Sequence, residues 1–274
     1  MKYNYIQISE DNRDAFADVL PEKLKLKGKR VAVGAVDDEG TVLGAMSYIL
    51  MEYEYIVDWI YVEPEMRRNH IGTGFIDLII KMMRETGDAF PLTIQYEFAD
   101  DDRLLHHFFI SLSYMDSDYS HERYYITADE IKNVSLPKRN ADHEMKITNF
   151  FDETYDEQLK LLAAVAAGGE YFVDEYSEWK EQCVSELCRV LYVGEEAVDL
   201  ILVQRLSDGN LELSYLYGKD PVGLLELISM SITDMIKLYP NASLVFDAIN
   251  EESLKIAEYL FPDSKSVHIY EAGF

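Results

Sequence analysis

Apolar and polar residues alternate along Tyr3–Ile8, which predicts a short strand with one covered face. A polar-capped helix is expected over about Asp11–Lys25, with Ser9 or Asp11 accepting from its free amides. Three β-rich runs follow, Arg30–Val36, Thr41–Met51 and Tyr55–Val62, and the DDEG segment at 37–40 marks a hairpin turn. From Thr73 to Thr86 the period changes. Phe75, Ile76, Ile79, Ile80 and Met83 then fall on one helical face, and Gly87 stands where a C-cap belongs. A strand at Pro91–Phe98, a helix from ADDD at 99–102 to about Leu112, and a strand pair around His121–Ile126 complete the first half.

The second half repeats this order. It reads as strand Glu144–Thr148, helices Tyr155–Ala167 and Tyr176–Glu186, and strands Cys188–Val193, Val198–Leu206 and Leu211–Tyr217. A helix Pro221–Leu238, a strand Leu244–Ala248, a helix Glu251–Leu260 and a final strand Val267–Glu271 follow. Between the halves, the polar stretch Leu136–His143 reads as a linker. Two domains are therefore expected, 1–135 and 143–274, related by element order and not by matched residues.

Composition narrows the partners. The chain has 274 residues with 51 acidic and 25 basic side chains, a formal charge of −26 shared between the halves. That excludes the electrostatic footprint of a nucleic-acid binder. Cys183 and Cys188 have neither CxxC nor zinc-knuckle spacing and read as small apolar residues in a reducing compartment. The N-terminus has no apolar leader core and no apolar run approaches a membrane span, so a soluble cytoplasmic protein is expected.

Against that acidic background one segment is exceptional: VDWIYVEPEMRRNHIGTGFIDLIIKMM, in which an apolar strand ends at Val62 and a basic, glycine-containing turn opens a helix. A helix N-terminus offers unpaired N–H groups and the positive end of the macrodipole. Gly72 and Gly74 allow close backbone approach, and Arg67 and Arg68 stand where a diphosphate would benefit from them. The spacing is neither a Walker A loop nor a Rossmann fingerprint. In the second half the corresponding run, Leu213 to Leu225, has a shorter loop and no arginine. There Asp220 faces the helix and Pro221 gives up an N–H, a good helix start and a poor diphosphate site.

The run Val62-Glu63-Pro64-Glu65-Met66-Arg67-Arg68-Asn69-His70-Ile71-Gly72-Thr73-Gly74 resembles motif A of the GNAT family of acyl-CoA-dependent N-acetyltransferases: an apolar strand, a V-x-P-like turn, then R/Q-x-x-G-x-G/A opening a helix. The resemblance implies an α/β (α+β) fold of two tandem GNAT-like domains, each a mixed, mostly antiparallel sheet flanked by helices, the second degenerate. It also implies a splayed opening after Val62 with acetyl-CoA as co-substrate and no metal. The pantetheine would pair near Tyr61 and Val62, and the diphosphate would sit on Arg67, Arg68, Asn69, His70, Ile71, Gly72, Thr73 and Gly74.

The sequence departs from the family pattern at two points. His70 replaces the first glycine, where it would either crowd the loop or offer a ring N–H to phosphate. Phe109 stands where the family often has a tyrosine that protonates the leaving thiolate, and Asp102 where it has an asparagine. Asp58, four residues before Val62, is where many members place an acidic residue acting through water. His106 and His107 read as surface residues of an exposed helix face.

The implied activity is acetyl transfer from acetyl-CoA to a primary amine of a small molecule or peptide, and an acidic pocket would favour a cationic acceptor. A non-catalytic CoA-binding or protein-interaction module on the same fold is the alternative that His70 and Phe109 favour.

Overall fold

The computed structural model describes the chain apart from residues 1, 22–23, 25, 27–28, 52–53, 88, 99–102, 135–144, 166–175, 177–179 and 207–208. Two compact units emerge, Met1–Ser120 with His268–Phe274, and His121–Val267. The first holds β1 (Tyr3–Ile8), β2 (Arg30–Asp37), β3 (Val42–Leu50), β4 (Tyr55–Val62), α1 (Ile71–Thr86), β5 (Leu92–Phe98) and α2 (Leu104–Ile110). Strand β6 (Asp116–Ile126) runs into the second unit, which continues with α3 (Ala128–Asn133), β7 (Met145–Asn149) and α4 (Tyr155–Val165). There follow β8 (Arg189–Val193), β9 (Glu196–Arg205), β10 (Leu211–Gly218), α5 (Pro221–Leu238), β11 (Leu244–Ala248), α6 (Glu251–Leu260) and β12 (Lys265–Gly273).

Both sheets follow one plan. In the first, β1 to β4 pair antiparallel in chain order, β5 joins β4 in parallel, and β12 joins β5 antiparallel. In the second, β7 to β10 pair antiparallel in order, β11 joins β10 in parallel, and β6 joins β11 antiparallel. The strands that close the sheets thus come from opposite halves of the sequence, a pairing that a linear division near 136–143 does not describe. The linker itself lies outside the described residues.

Each sheet has a covered face on both sides. In the first unit Phe75, Ile76, Ile79 and Met83 of α1 and Phe109 of α2 pack on Leu43, Met46, Val57, Leu92 and Ile94. On the other face Phe16, Val19 and Leu20 pack against Ala32 and Ala45. In the second unit Leu227, Ile228 and Ile232 of α5 cover one face, and Leu162 of α4 with Phe150 and Tyr176 covers the other.

Three expectations change. Among the described residues of the helix expected over Asp11–Lys25, the helical stretch is a 3-10 turn at Arg13–Phe16. Asn12 turns its side chain back to Ser9 N–H at 2.7 Å and to the Gln7 carbonyl at 3.1 Å, and Pro21 bars continuation. Of the helix expected over Tyr176–Glu186, residues 177–179 lie outside the described residues, and Lys180–Gln182 and Ser185–Leu187 are 3-10 turns. Strand-type contacts interrupt it: Cys183 bridges Gln204, and Val184 N–H reaches the Val203 carbonyl at 2.8 Å. The strand pair expected around His121–Ile126 is a single strand, β6, followed by α3, which opens with a Thr127–Glu130 capping box.

Candidate functional site

Strand β4 carries a bulge at Asp58, where its register against β3 shifts between Ser47 and Tyr48. Its parallel pairing with β5 covers only Tyr55–Val57 against Leu92–Ile94. Beyond that point Asp58–Val62 and Gln95–Phe98 form no ladder with each other, so the two strands splay and leave strand-edge groups facing an opening. The splay expected after the central strand is present.

Helix α1 begins at the mouth of this opening. Its first intrahelical bond runs from Gly74 N–H to the His70 carbonyl at 2.9 Å. No side chain caps it and no acidic residue lies in its first turn. The N–H groups of Ile71, Gly72 and Thr73 therefore have no protein partner among the described residues.

The loop before α1 divides its labour. Arg67, half-buried, donates Nε–H to the Val62 carbonyl at 3.0 Å, with its guanidinium over the Tyr61 ring at 6.0 Å. Asn69 donates to the carbonyls of Met66 and Arg67 at 3.0 and 3.3 Å. These two side chains close the turn. Arg68 and His70 are exposed, and among the described residues they are the two non-glycines with positive φ, 64° and 63°. His70 thus occupies the left-handed N-cap that a glycine fills without strain. Its ring is exposed, so it does not crowd the loop.

The glycines serve the protein's own packing. A Cβ on Gly74 would collide with the Tyr5 hydroxyl, and one on Gly72 would lie 3.2 Å from the Phe108 ring. Tyr5 reaches over this turn to donate to the Ile71 carbonyl at 2.8 Å. Glycine at 74 lets Tyr5 of β1 close on the first turn of α1, and Gly72 gives Phe108 of α2 a close approach to it.

Asp58 is engaged. It accepts from Ser47 Oγ at 2.5 Å and pairs with Arg30 at 2.7 Å. Phe109 is fully buried, its ring 5.0 Å from that of Tyr96. The Tyr96 hydroxyl meets His106 Nδ1 at 2.9 Å and Ser117 Oγ at 2.6 Å, and burial raises its pKa first of all. His106 is therefore a half-buried partner of β5, contrary to the surface reading, while His107 is exposed. The alternation Leu92, Ile94, Tyr96 on the buried face of β5 was the available signal. Asp102 lies outside the described residues.

The second unit repeats the splay and alters the helix. Strand β10 bulges at Ser214 and pairs with β11 only over Leu211–Leu213. Pro221 occupies the first turn of α5, and Asp220 caps it by accepting from Val222 N–H at 3.2 Å. A second carboxylate, Asp199 on β9, was not anticipated. It is 1% exposed, and burial, then repulsion from Asp220, pushes its pKa up to about 6.

Two open clefts also lie in this unit, of about 410 and 240 Å³, both lined by Lys160, Leu161, Tyr192 and Glu195. Among the described residues no group of His, Cys, Asp or Glu could hold a metal ion, and no helix is long and apolar enough to cross a membrane.

No family model matches the sequence, and no curated protein matches it either. Solved structures do. The GCN5-related glucosamine N-acetyltransferase region of a fungal multi-domain GH3 β-N-acetylglucosaminidase aligns with 99% of this chain at 12% identity and a TM-score of 0.76, and this chain spans 38% of that longer protein. A tandem GNAT protein from the clavulanic acid biosynthesis pathway, solved without acetyl-CoA, aligns over 99% of this chain and 98% of its own at 13% identity, with a TM-score of 0.71. A GCN5-related N-acetyltransferase from Sphaerobacter thermophilus aligns over 99% and 94% at 15% identity, with a TM-score of 0.66. At these identities the likeness establishes the fold. The chain has the tandem GNAT fold, a mixed α/β architecture with mostly antiparallel sheets.

Proposed function

We propose that the chain is an acetyltransferase that moves an acetyl group from acetyl-CoA to a primary amine, using the first unit. The observation that carries this reading is the uncapped α1 N-terminus at the mouth of the β4–β5 splay. In it, the amides of Ile71, Gly72 and Thr73 receive the diphosphate, with Arg68 and the His70 ring beside them. Arg67 and Asn69 hold the loop in shape. The free edge of β4 toward Val62 pairs with the pantetheine amides, which lays the thioester in the splay.

Acetyl-CoA supplies an activated thioester carbonyl. The neutral amine nitrogen bonds to that carbon, the C–S bond breaks, the amine's proton leaves to solvent, and the thiolate is protonated. Asp58 borders this opening, but its carboxylate is held by Arg30 and Ser47. We therefore assign it to shaping the bulge, with any proton uptake relayed by water. The charge of −26 favours a cationic acceptor by steering.

A second reading, a CoA-binding module without turnover, is favoured by Phe109, which is buried and brings no phenol to the splay. The test is release of free thiol from acetyl-CoA across a panel of polyamines, amino sugars and lysine peptides. Amine-dependent release supports the enzyme. Binding of acetyl-CoA without release by any amine supports the module, and absence of binding removes both.

A further inference from the structure

The ladder registers of the two units can be superposed through their bulges. Beyond the bulge at Asp58, the last β3–β4 pair is Gly44 with Val62; beyond the bulge at Ser214, the last β9–β10 pair is Asp199 with Gly218. Asp199 therefore stands where the first unit has Gly44. The exchange puts a carboxylate beneath a helix N-terminus that the first unit leaves open. Asp199 Oδ1 accepts the Asp220 N–H at 3.1 Å. Its Oδ2 is buried without a hydrogen-bond partner. The group is wedged between two glycines: a Cβ on Gly223, in the first turn of α5, would meet Oδ2, and a Cβ on Gly218 would lie 3.0 Å from Oδ1. Asp220 adds a second carboxylate at the same helix end, and Lys219, the nearest cation in sequence, is paired outward with Glu196 at 2.8 Å.

We propose that Asp199 is a built-in counter-anion that closes the α5 N-terminus, so the second unit takes no phosphate-bearing ligand and the chain binds a single nucleotide-type donor. The main features of a phosphate cradle are opposed by residues of the chain. The positive end of α5 is neutralised from within by Asp199 and at its cap by Asp220. Pro221 withholds one N–H, and Val222 gives its own to Asp220. The space over Gly218 and Gly223 is filled by the Asp199 carboxylate. An arriving phosphate would meet two carboxylates and a single open amide, that of Gly223, beside the Asp199 carboxylate.

The test titrates inorganic pyrophosphate into the ¹⁵N-labelled full chain and follows the Val222 and Gly223 amides, in the wild type and in Asp199→Gly, which puts the first unit's residue there and removes both the charge and the volume. In the wild type these signals should stay fixed at millimolar pyrophosphate. In Asp199→Gly they should shift saturably, with at least tenfold tighter binding than any wild-type response. Saturable wild-type shifts at Val222 and Gly223 would overturn the proposal, as would an Asp199→Gly protein, folded by its spectrum, that gains no binding. Calorimetry with CoA gives an independent reading: two equivalents per chain would also overturn it. Failure of CoA to bind at all would sink the proposed function while leaving the pyrophosphate result to decide this one.

Discussion

Replacing Asp199 by Asn should stabilise the protein at neutral pH. The carboxylate's pKa rises from 3.8 to about 6 because burial, and then Asp220, disfavour its charge. Since each pKa unit corresponds to about 1.4 kcal/mol, keeping Asp199 ionised in the folded state costs roughly 3 kcal/mol at pH 8. The folded state binds this proton more tightly than the unfolded chain, so the penalty is full above the folded pKa and fades as pH falls from about 6 toward 4. Asn keeps an oxygen for the Asp220 N–H and puts an N–H₂ where Oδ2 now has no partner, beside the Asp220 carboxylate. Urea unfolding of both proteins at pH 8, 7, 6 and 5 should show Asp199→Asn more stable by about 1 to 3 kcal/mol at pH 8, with the gap closing on acidification. A destabilised variant at pH 8, or a gap that does not change with pH, would refute the buried-charge reasoning.

Gly74→Ala should destabilise by about 1 to 3 kcal/mol, because its methyl would overlap the Tyr5 hydroxyl; the loss should shrink in Gly74→Ala/Tyr5→Ala, read as non-additive melting shifts. His70→Gly relieves a left-handed strain of about 1 kcal/mol and loosens the unfolded chain by nearly as much, so the melting temperature should move by no more than a few degrees. A large loss there would show that the ring makes a contact. Asp58→Asn should lower kcat less than about tenfold, since Arg30 and Ser47 already hold the carboxylate; a fall near a thousandfold would restore Asp58 as the base.

The parts of the fold set by short-range pattern were legible in the sequence. The face of α1, its left-handed Gly87 terminus and the Asp220–Pro221 start of α5 stand as the periodicity and capping chemistry indicate. The parts decided at long range were not. That β12 closes the first sheet and β6 the second depends on partners far along the chain, which no local window contains. Asp199 sits in an apolar run, and only the two ladder registers reveal that its counterpart is Gly44. The α3 cap was readable, because Thr127-x-x-Glu130 is a capping-box signature that the polar composition of the region obscured. The loop residues were found together, yet their separate tasks, Arg67 and Asn69 inward and Arg68 and His70 outward, follow from backbone angles that composition does not carry.

The most direct measurement is a titration of acetyl-CoA into the ¹⁵N-labelled chain, following the amides of Ile71, Gly72 and Thr73, with calorimetry on the wild type and Arg68→Ala. Those three signals should shift saturably, and Arg68→Ala should weaken binding about tenfold or more while leaving the fold intact. Unmoved α1 amides at saturating acetyl-CoA, or full affinity in Arg68→Ala together with shifts at the α5 N-terminus, would contradict the placement of the donor in the first unit.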